Sequence, residues 1–109
     1  MPKLFKIAVN VPEAEADDLR KAIGDSGGGR VGNYTHCSFS FKGTGRFLPM
    51  DGANPTIGQV GKLEQVPEEH IEVTCEEDKL NSVVSAIKSA HPYEEPAIEI
   101  YPMHTLDES

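Results

Sequence analysis

The sequence has no tryptophan, only two cysteines (Cys37 and Cys75) and no long hydrophobic run. Two cysteines are too few for the disulfide framework that staples small secreted domains, so we expect both thiols to be reduced. CxxC, Cys/His-finger and HExxH spacings are absent, which excludes a zinc site evident from sequence. Because the chain also lacks a stretch of about 18 apolar residues and a signal-peptide cleavage pattern, we predict a cytoplasmic protein with no membrane partner.

Positive charge is also scarce. The 109 residues include 10 Lys and Arg against 18 Asp and Glu, which gives a formal net charge of −8. A chain of this charge repels a phosphate backbone, so nucleic acid is not expected as a partner. The hydrophobic content of 38% is sufficient for one modest core, and we predict a single domain over residues 1–109, with its core in 3–103.

Apolar periodicity predicts the element order β, α, β, β, α, β. Period-two alternation indicates strands over 4–11, 33–42, 70–75 and 97–101. Helical spacing indicates one helix from residue 13 to the glycines of 24–29 and another from Leu80 to a break at Pro92. Residues 43–66 are rich in Gly, Pro and Asn and are predicted to form an ordered excursion with short strands around Phe47 and Ile57. The polar tail 104–109 is expected to fray.

The two halves of this pattern superpose at a single offset of 64 residues (71 − 7 = 64). The offset relates strand to strand and helix to helix, as in the pairs Ile7 and Ile71, Val9 and Val73, Leu19 and Val83, and Ile23 and Ile87. Two interleaved right-handed split βαβ units make a ferredoxin-like sandwich. The sequence therefore predicts an α+β fold of order βαββαβ, with an antiparallel sheet and both helices on one face.

Strand parity divides the side chains between the two faces of this sheet. The predicted helix-facing set is apolar and contains both cysteines, which we interpret as packing residues: Phe5, Ile7, Val9, Cys37, Phe39, Phe41, Ile71, Val73 and Cys75. The opposite face is polar and consists of Lys6, Asn10, His36, Ser38, Ser40, His70, Glu72, Thr74, Glu99 and Tyr101. This face is either solvated or joined to copies of itself in a closed homo-oligomer. His36, His70 and Glu72 are the candidate ligands for a divalent metal ion, provided that their strands are neighbours.

The segment GGGRVGN contains glycines at the G-x-G-x-x-G spacing of dinucleotide-binding loops. That motif requires a strand before it and a helix after it, whereas this segment follows a helix and precedes a strand. It is therefore predicted to end the first helix. An alternative is an anion site in which Arg30 acts together with a nest of glycine N–H groups.

The hexapeptide HPYEEP, residues 91–96, follows the second helix. Its prolines exclude helix and favour an extended segment from His91 onward. Glu94 and Glu95 together with His91 have the chemistry to bind a cation or to act as acid and base. The other interpretation is structural, with Tyr93 packed and both glutamates solvated.

Three motifs in the same order resemble one family: GRVGNYTHCSF (29–39), GTGRFLPMDGANPTIGQVGKLEQVPEEHIEV (43–73) and HPYEEPAIEIYPM (91–103). The chain resembles the YqfO-like domain, which occurs alone and within the larger Nif-three-like proteins, often named type 2 GTP cyclohydrolases. The resemblance implies a ferredoxin-like fold similar to PII signalling and CutA proteins, which associate as trimers through their sheets. It also implies that the halves holding the dinuclear metal centre of the larger relatives have no counterpart here.

We therefore expect a non-enzymatic binding or regulatory domain that forms a homo-oligomer, a trimer or a multiple of it. Its ligand would be a divalent metal ion or a small molecule in a cleft between subunits. The candidate ligand-binding residues come from three loops and are Arg30, Asn33, Tyr34, Asn54, His91, Tyr93, Glu94 and Glu95. The alternatives are a small metal-assisted hydrolase that uses His91, Glu94 and Glu95, and an interaction module for a separate dinuclear-metal protein.

Overall fold

The computed structural model describes residues 3–104 and contains four strands and two α-helices within them. The elements are β1 (Leu4–Pro12), a 3-10 turn (Glu13–Glu15), α1 (Ala16–Asp25), β2 (Phe39–Phe47), β3 (Glu64–Glu76), a second 3-10 turn (Glu77–Lys79), α2 (Leu80–Ala90) and β4 (Ile98–Pro102). This order confirms the predicted α+β ferredoxin-like fold. From residue 105 onward, the predicted fraying tail lies outside the described residues.

The four strands form one antiparallel sheet in the order β2-β3-β1-β4. Both helices pack on the same face of the sheet, because the apolar sides of both helices share one buried core with alternate residues of β1 and β3. That core consists of Ile7, Val9, Val11, Ala16, Leu19, Ile23, Ile71, Val73, Cys75, Val83 and Ile87. The predicted inward residues of the two central strands are thereby confirmed, except for Phe5, which is only partly buried and lies outside this core. Neither helix in the described range is long and apolar enough to cross a membrane.

The duplication is visible in the element boundaries. The 3-10 turns begin at Glu13 and Glu77, and 77 − 13 = 64, the offset found in the sequence. In the β1–β3 register Ala8 pairs with Glu72. Glu72 is also the residue that the 64-residue offset relates to Ala8 (8 + 64 = 72). A local twofold axis of the sheet therefore passes between these two residues, and the predicted duplication is confirmed.

The predicted register of β2 was wrong. The strand begins at Phe39 rather than at residue 33, and its aromatic residues face away from the helices. Phe39 pairs with Glu72 and Phe41 with His70, and directly paired residues of antiparallel strands share a face. The two aromatic residues are 68% and 51% exposed.

A polar contact replaces the apolar packing that was expected beneath this edge strand. Ser40 lies on the helix-facing side, opposite Ile71, and accepts a hydrogen bond of 3.2 Å from Arg20 Nη1 of α1. Arg20 Nη1 also lies 2.6 Å from Glu69 Oε1. Because the apolar stripes of both helices pack over the central strands, the helix-facing side of β2 is covered by a charged side chain.

The two cysteines have different environments. Cys75 is 1% exposed in the core, and burial raises the pKa of its thiol, as the packing prediction requires. Cys37 lies ahead of β2 and is only partly buried. Its predicted core position was therefore wrong, since the strand that was expected to carry it begins two residues later.

The predicted excursion at 43–66 is shorter than expected because strands extend into it from both sides. β2 continues to Phe47 and β3 begins at Glu64, which leaves only residues 48–63 as a loop. A strand near Phe47 is thereby confirmed, whereas Ile57 lies in a bend outside any strand. The β2–β3 ribbon extends past the end of β1, where Pro12 pairs with Glu68. The molecule is consequently elongated, with principal extents of 54 × 22 × 22 Å.

Candidate functional site

A cavity of about 470 Å³ lies where the β2–β3 ribbon, the loop 48–63 and the segment after α2 meet. Its lining includes Phe47 from the ribbon, Pro55 from the loop and Tyr93 from the hexapeptide. This volume is within the range of pockets that hold small organic ligands, about 300–1,000 Å³. Three separate parts of the sequence therefore converge on one candidate binding site.

A buried acid forms one wall of the cavity. The Tyr93 hydroxyl donates a hydrogen bond of 2.6 Å to Glu68 Oε2, and Glu68 is only 7% exposed. Burial and this hydrogen bond raise the pKa of Tyr93 above its ordinary value of 10, so the phenol remains a proton donor. The Tyr93 ring also contacts Phe47 edge-on, with 5.7 Å between ring centroids.

A glycine on the ribbon makes room for the Glu68 carboxylate. A Cβ atom at Gly45 would lie 2.1 Å from Glu68 Oε1, a distance that real Cβ contacts do not reach. Gly43, two residues earlier on the same strand, has nothing within 4 Å of the equivalent position. The absence of a side chain at Gly45 is therefore a local requirement of the buried acid.

His91 holds the hexapeptide against the sheet. Its ring is buried, with Nε2 donating a hydrogen bond of 2.7 Å to the Asn10 carbonyl. Its Nδ1 accepts a hydrogen bond of 3.1 Å from the Tyr93 N–H. Both ring nitrogens are thus engaged in structural bonds, and His91 is not part of the cavity lining.

Two hydrogen bonds attach the long loop to the same hexapeptide. The Asn54 N–H donates a bond of 3.1 Å to Glu94 Oε1, and Thr56 Oγ1 donates a bond of 2.7 Å to the Pro92 carbonyl. Asn54 and Glu94 were predicted as site residues, and the structure brings them together through the backbone of Asn54. Glu95 also lines the cavity. Thr56, Gly45 and Glu68 were not among the predicted site residues.

The remaining predicted ligand residues lie at the other end of the sheet. Val31 and Tyr34 form a small hairpin through two backbone hydrogen bonds of 2.9 Å, with Asn33 at its tip and Arg30 exposed beside it. The hairpin is tied to β3 by the bond from the Gly29 N–H to the Thr74 carbonyl. Positions 74 and 68 are six residues apart along β3, a span of about 20 Å. Within one chain, the predicted ligand set therefore divides into two distant groups.

The three glycines before Arg30 do not offer free N–H groups to an anion. The N–H groups of residues 27, 28 and 29 donate to the carbonyls of Gly24, Ile23 and Thr74. The first two of these bonds end α1, and all three leave their donors unavailable to an anion, because each N–H already has its acceptor. The predicted helix-ending role of the segment is confirmed.

The predicted metal ligands also lie apart. His70 Nε2 is 3.0 Å from Glu72 Oε2, and His70 Nδ1 is 2.7 Å from Asn10 Oδ1, on the open face of the sheet. His36 precedes β2 and instead contacts the end of α1, with Nε2 3.0 Å from Asp25 Oδ1. The three residues were expected to share a face because His36 was assigned to the strand, and that assignment was wrong. Residues 3–104 contain no group of three or more His, Cys, Asp or Glu side chains arranged to hold a metal ion.

The open sheet face carries a connected row of polar and aromatic groups. The Glu72 carboxylate contacts both His70 and Lys6, the latter at 3.6 Å. The hydrogen bond with His70 and the nearby Lys6 charge lower the pKa of Glu72. Phe41 stacks on the His70 ring at 4.7 Å between centroids. The face predicted to be polar thus combines ionic groups with exposed aromatic rings.

Comparison with solved structures defines the fold class. CutA from Archaeoglobus fulgidus, a periplasmic divalent cation tolerance protein, superposes with a TM-score of 0.67 at 20% identity, covering 96% of this chain and 88% of that one. A Bacillus cereus protein related to NIF3 superposes with a TM-score of 0.83 at 41% identity, covering 95% of this chain and 26% of that one. The chain has the CutA-like ferredoxin fold. No family model matches it.

Sequence comparison gives the relationship. A GTP cyclohydrolase 1 type 2 homolog of Halalkalibacterium halodurans is 48% identical over 100 residues, which are 92% of this chain and 27% of that protein. The Bacillus subtilis protein of the same name is 45% identical, with the same coverage of each chain. These matches confirm the predicted relationship to the YqfO-like domain of the Nif-three-like proteins. The chain spans about a quarter of the length of these relatives.

Proposed function

We propose that this chain is a non-enzymatic binding or regulatory domain that takes a small ligand in the cavity beside Tyr93. The observation that carries the proposal is the way in which this cavity is built. Its loop and its hexapeptide are joined by the bonds from Asn54 and Thr56, and His91 fixes the hexapeptide to the sheet. A site fixed in this way before the ligand arrives loses less conformational entropy on binding.

The chemistry of the cavity favours binding over catalysis. Both nitrogens of His91 are engaged with backbone groups, so its ring has no free position for general acid or base work. The Thr56 hydroxyl donates to a carbonyl, and the described lining contains no cysteine or serine. The match to the relatives covers about a quarter of their length, so the activity in their name is not assigned to this chain.

The open sheet face supports the second part of the proposal, assembly into a homotrimer or a multiple of it. Phe39, Phe41 and Tyr101 lie on this face and are each at least half exposed. Exposed aromatic rings beside a Lys6–Glu72 ion pair are typical of a surface that is covered by a partner. A cytoplasmic location, in which both thiols stay reduced, completes the proposal.

Native mass spectrometry of gently purified protein, with matched metal analysis, tests assembly and ligand together. We expect a trimer or a multiple that carries additional mass, and loss of that mass in Tyr93→Ala but not in the control Asn81→Ala, an exposed residue of α2. Tyr34→Ala tests whether the predicted ligand residues at the other end of the sheet, Arg30, Asn33 and Tyr34, join the same site between subunits.

Three results would contradict the proposal. A monomer without additional mass removes both the ligand and the assembly. Stoichiometric metal together with GTP hydrolysis would support the metal-assisted hydrolase. Stoichiometric co-purification of a dinuclear-metal protein, with no small ligand retained, would support the interaction module.

A further inference from the structure

The side chains around the cavity have a strong charge bias. Among the described lining residues, Glu68, Glu94 and Glu95 are acidic, and only Arg46 is basic. A ligand that packs against Phe47 and Tyr93 therefore lies in a cavity with more acidic than basic side chains.

Glu68 supplies an acceptor that the protein itself does not use. Its Oε2 accepts the Tyr93 hydroxyl, whereas Oε1 accepts no hydrogen bond from the described residues. The residue is more than nine-tenths buried, yet none of the buried side-chain polar atoms lacks a partner. Oε1 must therefore reach accessible space, and Glu68 is part of the cavity lining. A carboxylate oxygen in this position is a ready acceptor for a charged donor.

Aromatic rings stand beside this acceptor. Phe47 and Tyr93 meet edge-on and both line the cavity. Aromatic faces attract cations, and the attraction increases where water is excluded. Because Tyr93 also binds Glu68, the acceptor and an aromatic wall are joined in one unit.

We propose that the cavity binds a small organic cation, with its ammonium or guanidinium group on Glu68 and its carbon skeleton against Phe47 and Tyr93. This inference rests on the proposed function, because it requires that the cavity binds a small ligand. The acids near the cavity do not form a metal-binding cluster within residues 3–104. A phosphate-bearing ligand would bring its negative charge next to Glu68, at an electrostatic cost.

A series of probes of one shape and different charge provides the test. Phenethylamine, 2-phenylethanol and 3-phenylpropanoate all contain a phenylethyl group, which ends in an ammonium, a neutral hydroxyl and a carboxylate respectively. ATP serves as the anionic nucleotide. Titrations of the full chain at constant ionic strength are followed by the amide NMR signals of Phe47, Thr56 and Tyr93. We expect phenethylamine to bind with an affinity about tenfold or more above that of the alcohol, and the two anions to bind more weakly still.

Matched variants assign the effect to its residues. Glu68→Gln keeps an acceptor for Tyr93 and should lower phenethylamine affinity by about tenfold while leaving the alcohol unchanged. Glu77→Gln makes the same change in net charge in the exposed turn before α2 and should alter neither affinity. Phe47→Leu keeps an apolar wall and should weaken the ammonium more than the alcohol. The dispersion of the amide spectrum verifies that each variant is folded.

The outcomes separate the two proposals. Equal affinity for the ammonium and the alcohol, or tighter binding of a carboxylate or of ATP at the same amides, overturns the cationic class and leaves the ligand cavity in place. An equal loss of phenethylamine affinity in Glu77→Gln would reduce the effect to net charge and overturn the role of Glu68. If no probe shifts the cavity amides, the cationic class is also overturned, and the mass retained in native mass spectrometry decides the proposed function.

Discussion

At the scale of single residues, the cavity depends on a glycine that faces a buried acid. A Cβ atom in Gly45→Ala would displace the Glu68 carboxylate and disturb its bond to Tyr93. We expect the substitution to lower the free energy of unfolding by about 1–3 kcal/mol, because a buried charged group loses its partner. Urea denaturation measures the change.

The same strand offers a matched control. Gly43 has open space at its Cβ position, so Gly43→Ala should change the unfolding free energy by less than about 0.5 kcal/mol. Equal effects of the two substitutions would show that the cost lies in the strand backbone and that the contact with Glu68 contributes nothing.

Glu72 gives the open face a pH dependence. Its pKa is lowered in the folded chain, first by the hydrogen bond with His70 and then by the charge of Lys6. A carboxyl with a lowered folded pKa stabilises the fold above its unfolded value, near 4.5, and loses this contribution as the pH falls through the folded value. Stability should therefore decrease below about pH 5, and less steeply in Glu72→Gln.

Denaturation curves between about pH 6 and pH 3 measure this slope. Glu77→Gln removes the same charge away from the sheet and serves as the control. If the slope of Glu72→Gln matches that of the unmodified chain, Glu72 is not the source of the pH dependence.

Residue types in the sequence allowed some of the cavity residues to be predicted but not the others. HPYEEP stands out by its prolines and vicinal acids, so Tyr93 and Glu94 could be predicted from the sequence alone. Glu68 could not be predicted, because it is one of several acids in β3. Only its hydrogen bond with Tyr93, a residue distant in sequence, distinguishes it from the others. His36 was assigned to a strand by its alternation, but β2 begins three residues after it, at Phe39.

At the scale of elements, the register of β2 was predicted wrongly although the sequence contained the correct answer. Phe39 and Phe41 were assigned to the core because aromatic residues are usually buried. The 64-residue offset relates Tyr101 to Cys37 (101 − 64 = 37), which has the same parity as Phe41 in the predicted strand. An even offset preserves parity, so placing Tyr101 on the open face already implied that Phe41 lies there too.

The length of the ribbon leads to a prediction of unequal local stability. β3 lies between two strands up to the end of β1, but beyond the pairing of Pro12 with Glu68 it has only β2 beside it. Hydrogen exchange follows local opening, and a two-stranded ribbon opens more easily than a sheet interior. We expect amides of residues 44–47 and 64–66 to exchange about tenfold or more faster than those of residues 70–74. Mass spectrometry of peptic fragments measures this, and uniform protection would contradict it.

At the scale of the whole molecule, the exposed rings of β2 predict how copies associate. Replacing Phe39 and Phe41 together by serine should remove apolar surface from the open face and shift the assembly towards monomer. Met50→Ser serves as the control, because Met50 is 75% exposed and lies in the loop 48–63, outside the strands of the sheet. Sedimentation velocity at micromolar concentration reads the oligomeric state. An unchanged assembly in the double variant would move the interface elsewhere.

The sequence predicted the architecture far better than the site. Alternation in β1 and β3 and the 64-residue duplication are local or repeated signals, and they fixed the sheet and the helix-covered face. The site instead depends on distances between segments far apart in sequence, such as Thr56 and Pro92. No periodicity encodes these contacts, and within one chain Arg30 and Tyr93 lie at opposite ends of the sheet.

The central pairing of β1 with β3 also sets the order in which the chain can fold. The paired residues are between 56 and 72 positions apart (68 − 12 and 76 − 4), whereas the β2–β3 hairpin joins residues 17 to 33 apart (64 − 47 and 72 − 39). Closing the longer loop has the greater entropic cost, so the hairpin should form first and the docking of β1 should limit the folding rate. Substitutions at the β1–β3 contact would then slow folding, whereas those in the cavity would mainly accelerate unfolding.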